Sequence, residues 1–518
     1  MSEYSSSPVG PLLLCEEEGP AHSYLIGGGK DPSILLHNAG DRDVIVISDL
    51  HLGSGLDRQG TYTGTENFFN DWAFARFLDA MSRNVGRRGA TLVINGDFID
   101  FIRITEVPES DEEFEEWSVI LHDIGIDRSA AWLRDSIIPK EREYGLRTQD
   151  YKSVWRLYRS MTGHEAFFRA LARWLSDGVN ELVIVKGNHD LEWYWRAVRD
   201  GLRLGLARMI VTERGDDLDD VLAERVLPNL YFVDDAMLID GQLYIEHGHR
   251  YDRYTYVLGE PAQIYDRKRN EMELNIPFGS FFNRYLLNRL EGIYPFVDNI
   301  RPRQNILPML IRERFPLALS MIFRHMVFLV KMLKKEWRYV RFMFGRVFFL
   351  LIAILLPVGL IVAGVINTDL LSAPSGESTD PTSTPGRIMM AVFDGLRYLG
   401  GLILSYVLAR LVAWLQLEEP DSLEGPAREL LGRVGYRFAT MGHTHNPNQF
   451  HMDGSRFYNT GTWIPIVESS SAELRQDRVY TFLHFTRDRE TGHLNGHPLQ
   501  CWNDSAGRGE HLTIVRKN

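Results

Sequence analysis

Five short clusters of donor side chains punctuate the chain: Ser48-Asp49-Leu50-His51, Gly96-Asp97-Phe98-Ile99-Asp100, Gly187-Asn188-His189-Asp190, Glu246-His247-Gly248-His249 and Gly442-His443-Thr444-His445. Carboxylate, carboxamide and imidazole donors together suit Mn, Fe or Zn better than Ca. Cysteine is missing from the clusters, which argues against a structural zinc site. Seven donors, Asp49, His51, Asp97, Asn188, His247, His443 and His445, exceed what one ion needs. A carboxylate bridging two divalent ions accounts for that number. Two ions would clamp an in-line displacement and activate a bridging hydroxide. Phosphate-ester hydrolysis, among the slowest uncatalysed reactions, calls for that much charge stabilisation. Both His247 and His249 flank Gly248, so the choice between them stays open at this point.

Most clusters follow a short apolar run: 44–47, 92–94, 182–185 and 243–245 each have the length of a buried strand. Strands alternating with long helix-like stretches predict an α/β core. In open α/β sheets ligands bind at the carboxyl ends of strands, where the loops converge. The cluster glycines are expected to let the backbone turn sharply and aim the donors inward. Arg103, Arg250 and Arg253 lie just beyond these clusters and are candidates to clamp a second phosphate or a carboxylate of the substrate.

The remaining chain divides by composition. Residues 1–40 read as a leader, 41–103 and 179–252 as the first two parts of the core, and 418–518 as the third. Residues 104–178 read as a helical cap insertion, because a structureless loop that long is unusual in a compact domain. Residues 253–346 read as helical, turning basic from Lys331 to Arg346, and are a candidate membrane-interfacial segment. The stretch 347–366 carries no charge, and at ~1.5 Å per residue a helix there spans the ~30 Å hydrocarbon layer. With 388–417, where either 388–409 or 398–417 is the span, it predicts a transmembrane hairpin over 347–417 around a polar loop at 367–387. The ligand clusters before and after it must meet, so the number of spans must be even. The basic residues before 347 place the core on the cytoplasmic side.

The net charge of −12 disfavours nucleic acid as a partner. Cys15 and Cys501 are the only cysteines, which gives no disulfide framework and suits a reducing compartment. The N-terminus does not read as a secretory signal. His122, His164, His325, His451 and His484 match no cluster and read as surface or packing residues.

The order DxH, GDxxD, GNHD, HG and GHxH resembles the calcineurin-like metallophosphoesterase superfamily, over 42–103, 180–252 and 436–466. The resemblance implies a four-layer sandwich of two mixed β-sheets flanked by helices. It also implies that Asp49, His51 and His445 hold one metal, Asn188, His247 and His443 the other, and that Asp97 bridges. His189 would be the general acid, or would stabilise charge on the phosphoryl oxygens, oriented by Asp190 or Asp100. Tyr458-Asn459-Thr460-Gly461-Thr462 looks like the strand that follows the last histidines in that superfamily. The opening Ile47-Ser48-Asp49-Leu50-His51-Leu52 is also similar to the UDP-diacylglucosamine hydrolase family. The chain departs from that family in carrying His189 where an arginine stands, in its greater length and in its apolar stretches.

Together these features predict a membrane-anchored, two-metal phosphoesterase acting on a lipid- or nucleotide-linked phosphate ester or pyrophosphate. The alternatives are a phosphatase or phosphodiesterase for a soluble cyclic nucleotide or phosphoprotein, and a non-catalytic metal-binding scaffold.

Overall fold

Val44, Ile45, Val46 and Ile47 form an unbroken β-branched run, apolar on both faces, which suits a strand covered on both sides. In the computed structural model the strand Asp43–Ile47 is buried throughout, as are Ala90–Asn95 and Glu181–Val185 beside it. The structure describes residues 32–301, 316 and 423–512, apart from 63–64, 253, 256, 258–260, 267–270, 292–299, 469–472 and 476–478. The chain divides into two units, 1–301 with 420–518, and 302–419. The account below is of the first.

These three strands run parallel in an eight-stranded sheet, with Leu230–Val233 parallel to Glu181–Val185 at its edge. Thr481–Arg487 completes the other side of Asp43–Ile47 in antiparallel register, with Leu483 opposite Val46. Beyond it lie Gln500–Asn503 and Arg508–His511. The second sheet has six strands, in the order Ile34–His37, Ala236–Ile239, Leu243–Glu246, Phe438–Met441, Ser455–Asn459, Asn448–Met452. Both sheets are mixed.

The period-two alternation of side chains sorts the core into layers. Val44, Val46, Val93, Val183 and Val185 point at the second sheet and pack on Met237, Ile239, Leu243 and Ile245. Their neighbours Ile45, Ile47, Leu92, Ile94, Leu182 and Ile184 point the other way, into a cluster with Phe74, Phe77, Trp117, Trp155 and Phe167. Those aromatics come from the helices Asp71–Val85, Asp111–Asp123, Asp150–Gly163 and Glu165–Leu175. The 104–178 stretch is therefore helical, and its largest side chains lie in the same apolar cluster as the sheet. On the far face of the second sheet, Tyr244, Ala439 and Met441 pack against Ala427, Leu430 and Leu431 of the helix Glu424–Val434.

Two expectations are corrected here. No helix among the described residues is long and apolar enough to cross a membrane. The transmembrane hairpin is withdrawn from the fold, and with it the multi-pass membrane location and cytoplasm-facing orientation that rested on it. Both proposed spans, 347–366 and 388–417, lie outside the described residues. The apolar runs that the structure does describe are strands of four to seven residues buried between layers, far short of the ~20 residues a helical span requires. Within the 253–346 stretch, the described residues of 261–291 also differ from a purely helical segment. Ala262–Asp266 and Glu271–Leu274 pair as an antiparallel hairpin before the short helices Phe278–Phe282 and Asn288–Glu291.

Candidate metal centre

Asp49 and His51 follow the strand Asp43–Ile47, Asp97 follows Ala90–Asn95, and Asn188 follows Glu181–Val185. His247 follows Leu243–Glu246, and His443 and His445 follow Phe438–Met441. All seven thus sit at carboxyl ends of strands, in loops of both sheets. The loops are stitched together by main-chain bonds: Asp49 N donates to Gly96 O at 3.2 Å, and His51 N to Asp97 O at 2.9 Å.

The backbone at these positions is unusual. Of the eight non-glycine residues with positive φ among the described residues, five are Asp49 (55°), His51 (49°), Asp97 (52°), His443 (67°) and His445 (56°). An L-residue in that region costs of order 1 kcal/mol or more and persists where the surroundings over-determine it. Two glycines make the aim possible in different ways. Gly96 has a φ of 79°, and a Cβ there would lie 2.3 Å from His247 Nδ1. Gly187 makes no such turn. It leaves room for Asp97, whose Oδ1 would stand 2.2 Å from an added Cβ.

Three groups of side chains are close enough to share an ion: Asp49, His51 and His445; His51, Asp97 and His189; and Asp97, His247 and His443. Asp97 and His51 each belong to two of them. His445 Nε2 lies 3.3 Å from Asp49 Oδ1 and 3.0 Å from His51 Nε2. His247 gives its Nδ1–H to Asn95 O at 2.8 Å, which leaves Nε2, 3.2 Å from Asp97 Oδ2, as the nitrogen available to an ion. His443 Nε2 meets Asp252 Oδ2 at 3.2 Å, which turns Nδ1 towards the role of ligand. Asn188 Oδ1 is buried with no hydrogen-bond partner among the described residues. His249 is in none of the three groups.

Converging buried lone pairs and carboxylates need positive charge. Burial by itself raises the Asp97 carboxyl, but His247, His189 and His51 outweigh it and hold it well below its ordinary value. Burial likewise lowers His247, yet the Asp97 and Asp49 carboxylates push it up to about 10. A field that draws protons onto imidazoles draws divalent cations as well. The donor set, nitrogen and oxygen without sulfur, fits a first-row divalent metal. The chain therefore carries buried His/Asp groups able to hold a metal ion.

Beside them, His189 Nδ1 faces Asp100 Oδ2 at 2.8 Å, and at 14% its side chain is the most exposed imidazole of the set. The two carboxylates considered for orienting it are sorted by this geometry. Asp190 Oδ2 accepts from Phe98 N at 2.8 Å and its Oδ1 from Gly187 N at 2.6 Å, so it braces loops. Burial lowers the His189 pKa, but Asp100 and Asp97 reverse this and push it up to about 9. A divalent cation nearby would oppose that rise.

Arg103 points elsewhere than expected. Arg103 is 3% exposed and turned inward, between Asp100 and Glu291. Arg250 is partly exposed, with Nη1 3.7 Å from Glu246 Oε2. Arg253 lies outside the described residues. Several supporting residues carry no motif. Asp252 is one, Glu291 another. From the Tyr458–Thr462 stretch already noted in the sequence, Asn459 Nδ2 donates to Gly442 O at 2.9 Å, and Thr462 Oγ1 to Asp49 O at 2.8 Å. His164, with no exposure, sits between Asp71 Oδ1 at 2.9 Å and Glu66 Oε2 at 3.2 Å. Glu66 in turn accepts from Gly53 N and Gly55 N, just after His51.

No family model matches the chain, and no curated protein matches it.

Proposed function

We propose that this chain is a metal-dependent phosphoesterase that hydrolyses a phosphate ester or pyrophosphate at a centre of two divalent ions. The observation that carries the reading is the concentration of left-handed backbone on five of the seven candidate ligands, which converge from both sheets onto shared His/Asp groups. Strain of that kind is retained where function needs it. Held there, Mn, Fe or Zn would neutralise phosphoryl charge and make water a stronger nucleophile.

The protein's own groups supply the rest. Asp97, common to two groups, would serve both ions. Asp49, His51 and His445 would hold one, and Asn188, His247 and His443 the other. Asp100 Oδ2 stands 2.8 Å from His189 Nδ1 and would pair with the imidazolium, which leaves Nε2–H for the open side of the centre. From Nε2 the proton passes to the leaving-group oxygen as its bond to phosphorus breaks.

Purified full-length chain supplied with Mn should hydrolyse chromogenic phosphodiesters or monoesters, lose that turnover on chelation, and regain it when the ion is restored. Stoichiometric metal without turnover of any phosphoester, diester or pyrophosphate would instead favour a metal-binding scaffold.

A further inference from the structure

Glu291 stands 188 positions after Arg103, yet its carboxylate, 1% exposed, is paired with the Arg103 guanidinium. The stretch that carries it is fastened to loops around the centre. Ser280 Oγ donates to Asn188 O at 3.2 Å, and Asn288 Nδ2 to Ile102 O at 2.7 Å. One nitrogen of Arg284, Nη2, reaches the carbonyls of Gly145 and Leu146, each at 2.7 Å.

Arg103 passes this anchorage on. Its Nε donates to Asp100 Oδ2 at 3.0 Å, the same oxygen that faces His189 Nδ1 at 2.8 Å and His51 Nδ1 at 3.3 Å. The other oxygen, Asp100 Oδ1, is buried with no hydrogen-bond partner among the described residues. The carboxylate is therefore oriented through one oxygen alone, and a turn about its last torsion would release His189. A guanidinium is a rigid fork, so Nε can fix Asp100 only while another nitrogen is held. Glu291, together with the Thr65 carbonyl at 3.5 Å from Nη1, does the holding.

From this geometry we infer that Arg103 and Glu291 are positioning residues. The pair locks Asp100 so that His189 keeps one ring orientation, and it ties the seating of 278–291 to the action of His189. The inference rests on the proposed role of His189 in phosphoester hydrolysis.

The test uses the full chain with Mn and a small chromogenic diester. Glu291→Gln should lower kcat about tenfold to a hundredfold, with KM within about twofold, the scale of a misplaced catalytic group. Its metal content should match wild type. In a His189→Ala background the same change should cost less than about twofold, because the group it acts through is gone. A downfield proton resonance assigned to His189 Nδ1–H, by its loss in His189→Ala, should weaken in Glu291→Gln. A full additional loss in the His189→Ala background, or an unchanged resonance with unchanged kcat, would overturn the inference. Should Glu291→Gln fail to fold, Glu291→Gln with Arg103→Met leaves no buried charge unpaired. That variant must show the same pattern, and wild-type kcat in it counts against the inference. A wild type inert on every phosphoester refutes the functional reading instead, while the resonance still judges the positioning.

Discussion

His51 and His445, 394 positions apart in the chain, bring their Nε2 atoms to 3.0 Å of each other. Two imidazoles meeting edge-on must share either a proton or a cation, and Asp49 Oδ1 lies 3.3 Å from one of them. That relationship leads directly to expectations about metal.

Removing Asp97 should empty the centre, because this carboxylate belongs to two of the three candidate groups. Asp97→Ala is expected to retain neither ion, whereas His445→Ala should lose the ion on its own side first. Metal analysis of the purified variants decides it. Chelation of wild type should also lower the thermal midpoint, since an ion bound only by the folded chain stabilises it by mass action, by about 2.7 kcal/mol at a hundredfold excess over Kd.

Turnover should depend on His189 without metal depending on it. His189→Ala is expected to keep its metal and lose about 10²–10⁴ in kcat, the usual scale of general acid–base help. Asp100→Asn should fall in the same direction, and the double variant should be little worse than His189→Ala alone. A His189→Ala protein that loses metal as readily as His443→Ala would remove it from the role of acid.

Gly96 is not a ligand, but a side chain there should damage the centre. Gly96→Ala forces a Cβ onto the His247 ring and places an alanine at a φ of 79°. We expect destabilisation of roughly 1–3 kcal/mol together with reduced metal content. Unfolding curves and metal analysis on the same sample test both parts, and a fully loaded Gly96→Ala protein would contradict the geometry.

The buried Glu66–His164–Asp71 group sets a pH dependence of stability. Burial lowers the His164 pKa, but the two carboxylates overcome this and push it up to about 10 from an ordinary 6.5. A raised folded value means the stabilisation is complete below about pH 6.5. It is then withdrawn as pH climbs towards about 10, at up to about 1.4 kcal/mol per unit. Glu66, held low by His164 despite burial, adds a loss below its ordinary value of 4.5. The gap in thermal midpoint between wild type and His164→Asn should be widest between those limits and close towards alkaline pH. A gap constant from neutrality to about pH 10 would show that His164 is not charged in the folded protein.

The parts of the centre legible in the sequence are those written locally. Asp49 and His51 are two residues apart at the end of an apolar run, so strand and donors are read together. The choice between Asp100 and Asp190 was not legible, because each lies within a motif and only the packing of loops shows which oxygen faces His189. Arg103 misled for a related reason. Its position beside a motif suggested a hand for substrate, while its direction is set by a carboxylate 188 residues later. His164 had no local signal either, since its partners lie 93 and 98 positions earlier. The hairpin expected at 347–417 came from hydropathy and from an even count of spans, neither of which shows what an apolar stretch packs against.

The register of Leu483 against Val46 has a consequence for how the chain is made. The strand that launches Asp49 and His51 is synthesised early, yet its antiparallel neighbour emerges more than four hundred residues later, with His484 finally meeting Asp43 at a separation of 441. At about 5–20 residues per second, the early strand waits roughly 20–90 s on the ribosome with one hydrogen-bonding edge unpaired. Contacts so distant in sequence slow folding as well. The metal centre is thus a late product of biosynthesis, and nascent chains stalled before residue 443 should capture no metal at His51, whereas released chains should.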